Sequence, residues 1–127
     1  MDKPLFWVGS SLKDLRDFPA EVKDEIGFAL YQAQRGLTHR TAKPLKGFSS
    51  ASVLEIVDDF QTDTYRAVYT VQLTDAVYVL HAFQKKSKRG TETPKAEIEL
   101  IKGRLKLAKE HHQEWQRSRG EQDEQEN

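Results

Sequence analysis

The sequence predicts an α+β domain in the order β-α-α-β-β-β-α: a small, mainly antiparallel sheet with a helical hairpin on one face and a C-terminal helix. Three observations lead there. Three strand-like runs, SVLEIV, TYRAVYTVQL and AVYVLHAF, follow one another with short polar links, as in an antiparallel meander. Apolar residues recur every three or four positions before the meander, and again after it. The chain of 127 residues has the length of about one domain.

Each element has a local cause. Leu5 to Gly9 reads as a short first strand, ended by Gly9 and Ser10. In SLKDLRDF, Leu12, Leu15 and Phe18 give a short amphipathic helix. Pro19 suits the start of a second helix, with Glu21, Asp24 and Glu25 near its positive end. Val22, Ile26, Leu30 and Ala33 form that helix's apolar stripe, and Gly36 supplies a stop. Residues 37–51, with Pro44 and Gly47, read as a loop. In the second meander strand Tyr65, Ala67, Tyr69 and Val71 alternate with Arg66, Val68, Thr70 and Gln72. AVYVLHAF is nearly all apolar, as a central strand covered on both faces would be. Simple alternation places His81 with Val77, Val79 and Phe83. Thr93 and Pro94 read as an N-cap and first helical position; Ile98, Ile101, Leu105 and Ala108 then form a stripe opposite Lys102, Lys106 and Lys109. Gly103 argues against an uninterrupted helix there. Residues 1–115 are therefore expected to form a single domain, and 116–127 an acidic, disordered tail.

Composition narrows the function. The sequence contains no cysteine, which excludes disulfides and cysteine-based metal or redox chemistry. His111 and His112, adjacent on a helix, point in different directions, so no convincing metal-ligand spacing is present and no cofactor is expected. The short apolar run PLFWVG is neither a signal peptide nor a membrane span, and a cytoplasmic protein with no membrane partner is expected. Formal net charge is zero, but the charge is segregated. Residues 37–54 carry Arg40, Lys43 and Lys46 with no acid, and residues 55–63 carry Glu55, Asp58, Asp59 and Asp63 with no base. Between residues 85 and 95, Lys85, Lys86, Lys88, Arg89 and Lys95 face only Glu92. Two basic segments flanking an acidic one leave a polyanionic partner open.

The segments KPLKGF, VLEI, TYRAVYTV, VYVLHAFQKK and TPKAEIELIKGR, in this order, resemble the phage-derived Gp49-like group of HigB-type toxins in the RelE/ParE superfamily. The resemblance runs from about residue 4 to 110. It implies a RelE-like fold and the toxin of a type II toxin–antitoxin system, an endoribonuclease that cleaves mRNA, often on the ribosome, and so inhibits translation. It also implies a cognate helix-turn-helix antitoxin as partner. The superfamily's tyrosine–arginine on the second meander strand is matched by Tyr65-Arg66, and its basic pair after the last strand by Lys85-Lys86. RelE's lysines on the first meander strand are replaced here by Glu55 and Val57, and its C-terminal tyrosine has no counterpart.

The chemistry so implied is attack by RNA's own 2′-hydroxyl, which needs a base, a positive clamp on the phosphate and an acid for the leaving oxygen, but no metal. Arg66 is the expected clamp, since its fork holds two phosphate oxygens and never loses its proton; the competing reading pairs it with Glu55 across an exposed sheet face. Lys85 and Lys86 are the other catalytic candidates, as acid or clamp. Lys43, Lys46, Arg40, Lys88 and Arg89 are expected to bind RNA backbone. His81 is of the right type for acid–base work, although a packed, hydrogen-bonded histidine fits its apolar neighbours better. Phe48 and Phe83 can stack on bases or pack in the core, and Trp7, Tyr69 and Tyr78 read as packing residues. A ParE-like gyrase inhibitor and a non-catalytic, phage-derived nucleic-acid-binding protein are the alternative functions.

Overall fold

The computed structural model describes residues 2–49, 52–85 and 93–126, with side chains through residue 120. The elements are β1 (Leu5–Trp7), α1 (Ser11–Arg16), α2 (Ala20–Gln34), β2 (Ala42–Pro44), β3 (Val53–Phe60), β4 (Asp63–Thr70), β5 (Val77–Lys85) and α3 (Lys95–Glu126). They form an α+β fold around a five-stranded sheet of order β1-β5-β4-β3-β2. β1 runs parallel to β5, and the other pairs are antiparallel.

The hairpin and α3 cover opposite faces. Val22, Ile26, Ala29, Leu30 and Ala33 of α2 pack with Leu15 and Phe18 against Leu54, Ile56, Tyr65, Ala67, Tyr69, Val77 and Val79. On the other face Ile101 and Ala108 of α3 pack with Val53, Val68, Tyr78, Leu80 and Leu45. Tyr69 and Tyr78 are buried as expected, and Trp7 packs against the hairpin-side core. Burial pushes both phenol pKa values up to about 12. Gly36, at φ +82, ends α2: its N–H donates to Ala33 O and that of Leu37 to Gln32 O, a left-handed C-terminal closure.

Several local expectations change. The 37–51 loop contains the edge strand β2, because Ala42, Lys43 and Pro44 find partners in Ile56, Glu55 and Leu54; an edge position tolerates Pro44. Gly103 does not interrupt α3, whose flanking turns are held by the buried Ile101 and Ala108. The helix also continues to Glu126, through the segment expected to be a disordered tail. Extending an existing helix is far easier than nucleating one, and Glu, Gln and Arg are good helix formers. Thr93 is not the cap of α3; Glu97 and Ile98 donate their N–H groups to Pro94 O, while the Thr93 hydroxyl is engaged elsewhere.

A register shift between Val68 and Tyr69 revises the placement of His81. Val68 is opposite His81 but Tyr69 is opposite Val79, so β5 carries an extra residue at this point. Before it Val77 and Val79 face the hairpin; after it His81 and Phe83 share the α3 side with Leu80. Simple alternation fails because the bulge turns the strand over.

Candidate functional site

Arg66 projects from β4 on the α3 side, diagonally across from Glu55 on β3: Glu55 is opposite Val68, and Arg66 opposite Val57. Both residues are 3% exposed. Arg66 Nη1 donates to Glu55 Oε1 at 3.1 Å and to Thr93 Oγ1 at 3.1 Å. The Thr93 hydroxyl in turn donates to Glu55 Oε2 at 2.5 Å, closing a three-membered network. The pairing of Arg66 with Glu55 is therefore formed, but under α3 rather than on an exposed sheet face. Arg66 Nε is buried with no hydrogen-bond partner among the described residues. An arginine with unused donor capacity beside a carboxylate can exchange that carboxylate for another oxyanion.

Next to this network is a cavity of about 430 Å³, lined by Lys43, Pro44, Leu45, Lys46, Gly47, Glu55, Thr93 and Ile98. β2 creates it: Lys43 pairs with Glu55 across the ladder, which puts an exposed lysine beside the buried carboxylate. Positive φ at Gly47 (+98) turns the chain toward α3, where an added Cβ would sit 3.5 Å from Ile98 Cγ2. Lys43 and Lys46 thus lie together. Arg40 is exposed but does not line the cavity; it follows His39, which bonds Glu25 of α2 at 3.2 Å and so holds that end of the loop toward the hairpin.

Lys85, the last residue of β5, is opposite Thr64, while Phe83 is opposite Arg66. Opposed residues share a face, so Lys85 lies on the side of Arg66, at the diagonal spacing of roughly 7–8 Å typical of sheets. Lys86, Lys88 and Arg89 lie outside the described residues.

His81 is held by α3. Arg104 Nη1 is 3.2 Å from His81 Nδ1, and since arginine only donates, Nδ1 is the acceptor; Nε2 then carries the hydrogen that faces Glu97 Oε2. Arg104 also donates to Leu80 O and Ser10 Oγ, both at 3.0 Å, and the His81 ring stacks on Phe83 at 4.9 Å. With both ring nitrogens engaged, His81 is a packed, hydrogen-bonded histidine, held beside Phe83 and α3 rather than beside Val77 and Val79. Phe48 and Phe83 are partly buried in the α3-side core. His111 bonds the Tyr78 hydroxyl and His112 the Thr74 carbonyl, both at 2.7 Å. Among the described residues no group of three His, Asp or Glu side chains is placed to hold a metal ion, and no helix is long and apolar enough to cross a membrane.

Sequence reasoning cast Glu55 only as a competitor for Arg66 and did not find Thr93, Glu97 or Arg104 as partners. The charge reversal at Glu55 was the available signal; the other contacts depend on where α3 crosses the sheet.

A search of curated proteins returned no match. Among solved structures, the chain is similar to a RelE toxin mutant from E. coli in the free state, at 17% identity and TM-score 0.50, over 84% of this chain and 98% of that one. It is also similar to a chain of the RelBE2 toxin–antitoxin complex from Mycobacterium tuberculosis, at 20% identity and TM-score 0.43, over 67% of this chain and all of that one. The fold is thus RelE-like. The family model for phage-derived Gp49-like proteins matches residues 13–106, from α1 into α3, and the chain belongs to that family.

Proposed function

We propose that this protein is the toxin of a type II toxin–antitoxin pair and an endoribonuclease that cleaves mRNA, in the cytoplasm and on the ribosome, without a metal. The observation that carries the reading is the buried Arg66–Glu55–Thr93 network opening beside a lysine-lined cavity. Lys43 and Lys46 would hold the backbone of an RNA strand, and its scissile phosphate would displace Glu55 from Arg66. Glu55, so released, would take the proton of the 2′-hydroxyl as that oxygen bonds to phosphorus. Lys85 or Lys86 would protonate the 5′ oxygen as its bond to phosphorus breaks, leaving a 2′,3′-cyclic phosphate and a 5′-hydroxyl. Arg66 would stabilise the charge that accumulates on the non-bridging oxygens. Lys88, Arg89 and Arg40 would add backbone affinity, and a helix-turn-helix antitoxin would hold the toxin inactive.

The test is primer extension on transcripts from cells induced for expression, repeated with purified protein and RNA in chelator, with and without ribosomes. Cut transcripts with cyclic-phosphate ends, produced in chelator and lost in Arg66→Lys, are the expected result. An SOS response with intact transcripts would instead indicate a gyrase poison, and unaffected growth a non-catalytic binder.

A further inference from the structure

The rotational setting of α3 gives a second basic surface. Ile101, Ala108 and His112 mark its buried centre line. Turning about 100° per residue, Ile98 and Leu105 flank that line on one side and Glu97 and Arg104 on the other. Glu97 and Arg104 reach His81 and Ser10, toward β5 and the start of α1. Ile98 meets Gly47 and lines the cavity, so this flank looks toward the β2–β3 edge. Just beyond Ile98 and Leu105, within an arc of about 60°, come Lys95, Lys102, Lys106 and Lys109. All four are exposed, and from first to last they span about 21 Å at the helical rise of 1.5 Å per residue.

Little neutralises this row. Glu99 reaches Lys102 at 3.9 Å, with both side chains about half exposed or more, a pair of small energetic value. Lys106 and Lys109 have no acidic partner within ion-pair distance among the described residues. Lys43 and Lys46 line the cavity together with Ile98, and Lys95 and Lys102 lie about one helical turn to either side of Ile98, so the row extends the basic lining outward along the helix.

We infer that Lys95, Lys102, Lys106 and Lys109 form a track for the phosphodiester backbone of a single RNA strand, leading away from the Arg66–Glu55 site. The inference rests on the nuclease reading for the identity of the polyanion. A strand seated there is recognised by its charge rather than by its bases, and the substrate is several nucleotides longer than the cleaved step.

The experiment compares wild type with Lys102→Gln/Lys106→Gln/Lys109→Gln, which keeps good helix formers on α3. The probe is a fluorescent single-stranded RNA, 2′-O-methylated so that it cannot be cut, titrated over a range of potassium chloride. Each single-strand phosphate contact contributes about 0.7 to the slope of log affinity on log salt, so the triple variant should lose about 2 from that slope and bind more weakly at every salt. Unchanged thermal unfolding confirms that the fold is kept. Equal affinity and equal slope overturn the track, leaving the row to an acidic protein surface, and leave the nuclease reading standing if wild type cuts unmodified RNA. Binding with the expected slope difference by a wild-type protein that cuts nothing supports the track and sinks the nuclease reading. Absence of RNA binding by wild type overturns the track, and the nuclease reading falls with it only if transcripts also stay intact when ribosomes are present.

Discussion

Removing one partner of the Arg66–Glu55 pair should be more costly than an active-site substitution usually is. Both side chains are 4% exposed and 3.1 Å apart, so Arg66→Ala leaves a carboxylate under α3 with only Thr93, among the described residues, to satisfy it. Losing one member of a buried pair costs about 3–5 kcal/mol, whereas replacing both by apolar groups of similar volume is often neutral. That range corresponds to about two to three and a half powers of ten in the folding equilibrium. For a domain of this size it lowers Tm by roughly 12–20 °C, at about 4 °C per kcal/mol. The assay is urea and thermal unfolding of Arg66→Ala, Glu55→Ala and Glu55→Leu/Arg66→Met, followed by RNA cleavage at a temperature where each variant is folded. The two single variants should be strongly destabilised and the double variant close to wild type, with all three inactive. A loss below about 1 kcal/mol in both single variants, with unchanged m-value, would refute the buried pair. A folded double variant that still cuts RNA at the wild-type rate would remove Arg66 and Glu55 from the chemistry.

Two further outcomes follow from the geometry. At Gly9 (φ +57) an added Cβ would come within 2.8 Å of Arg104 Nε, whose guanidinium is committed to Leu80, His81 and Ser10; at Gly103 a Cβ would meet nothing within 4 Å. Calorimetry should therefore find Gly9→Ala destabilised by about 1–2 kcal/mol or more from the left-handed backbone alone, and Gly103→Ala stabilised by up to about 1 kcal/mol. Burial first, and then the charges of Glu25 and Asp59, raise the Asp58 pKa above its ordinary 3.8. A carboxyl raised in the fold binds its proton more tightly there, so its favourable contribution is full below the unfolded value and fades as pH rises through the folded one. Asp58→Asn should accordingly raise Tm at neutral pH and change it little near pH 3.5, and a gain confined to acid pH would reverse the sign of that coupling.

Much of this molecule is legible along the chain because its causes are local. The stripe Val22–Ile26–Leu30–Ala33 needs only helical spacing to be read, and each of its members is buried. Gly36 stops α2 because left-handed backbone is easy for glycine, and β4 alternates because its two sides meet different cores. The bulge that carries His81 to the α3 side has no such signature, since nothing in AVYVLHAF marks where a residue goes unpaired. β2 is similarly hidden: AKP has no strand pattern of its own and is extended because the edge of β3 offers it partners. Lys86, Lys88 and Arg89, prominent in the sequence, lie outside the described residues, whereas Lys43 and Lys46 prove to share a cavity with Glu55.

By itself, then, the sequence determined the order and type of every element but β2, the apolar stripes of the helices and the residue types available for phosphate chemistry, because periodicity and turn propensity act within a few residues. Only the tertiary structure decided that Arg66 is buried and shared between Glu55 and Thr93, residues 11 and 27 positions away in the chain. It also decided that α3 brings Ile98 to the cavity that Lys43 and Lys46 line. The physical reason is that charge pairing depends on distance and desolvation, and both are set by how α3 crosses the sheet.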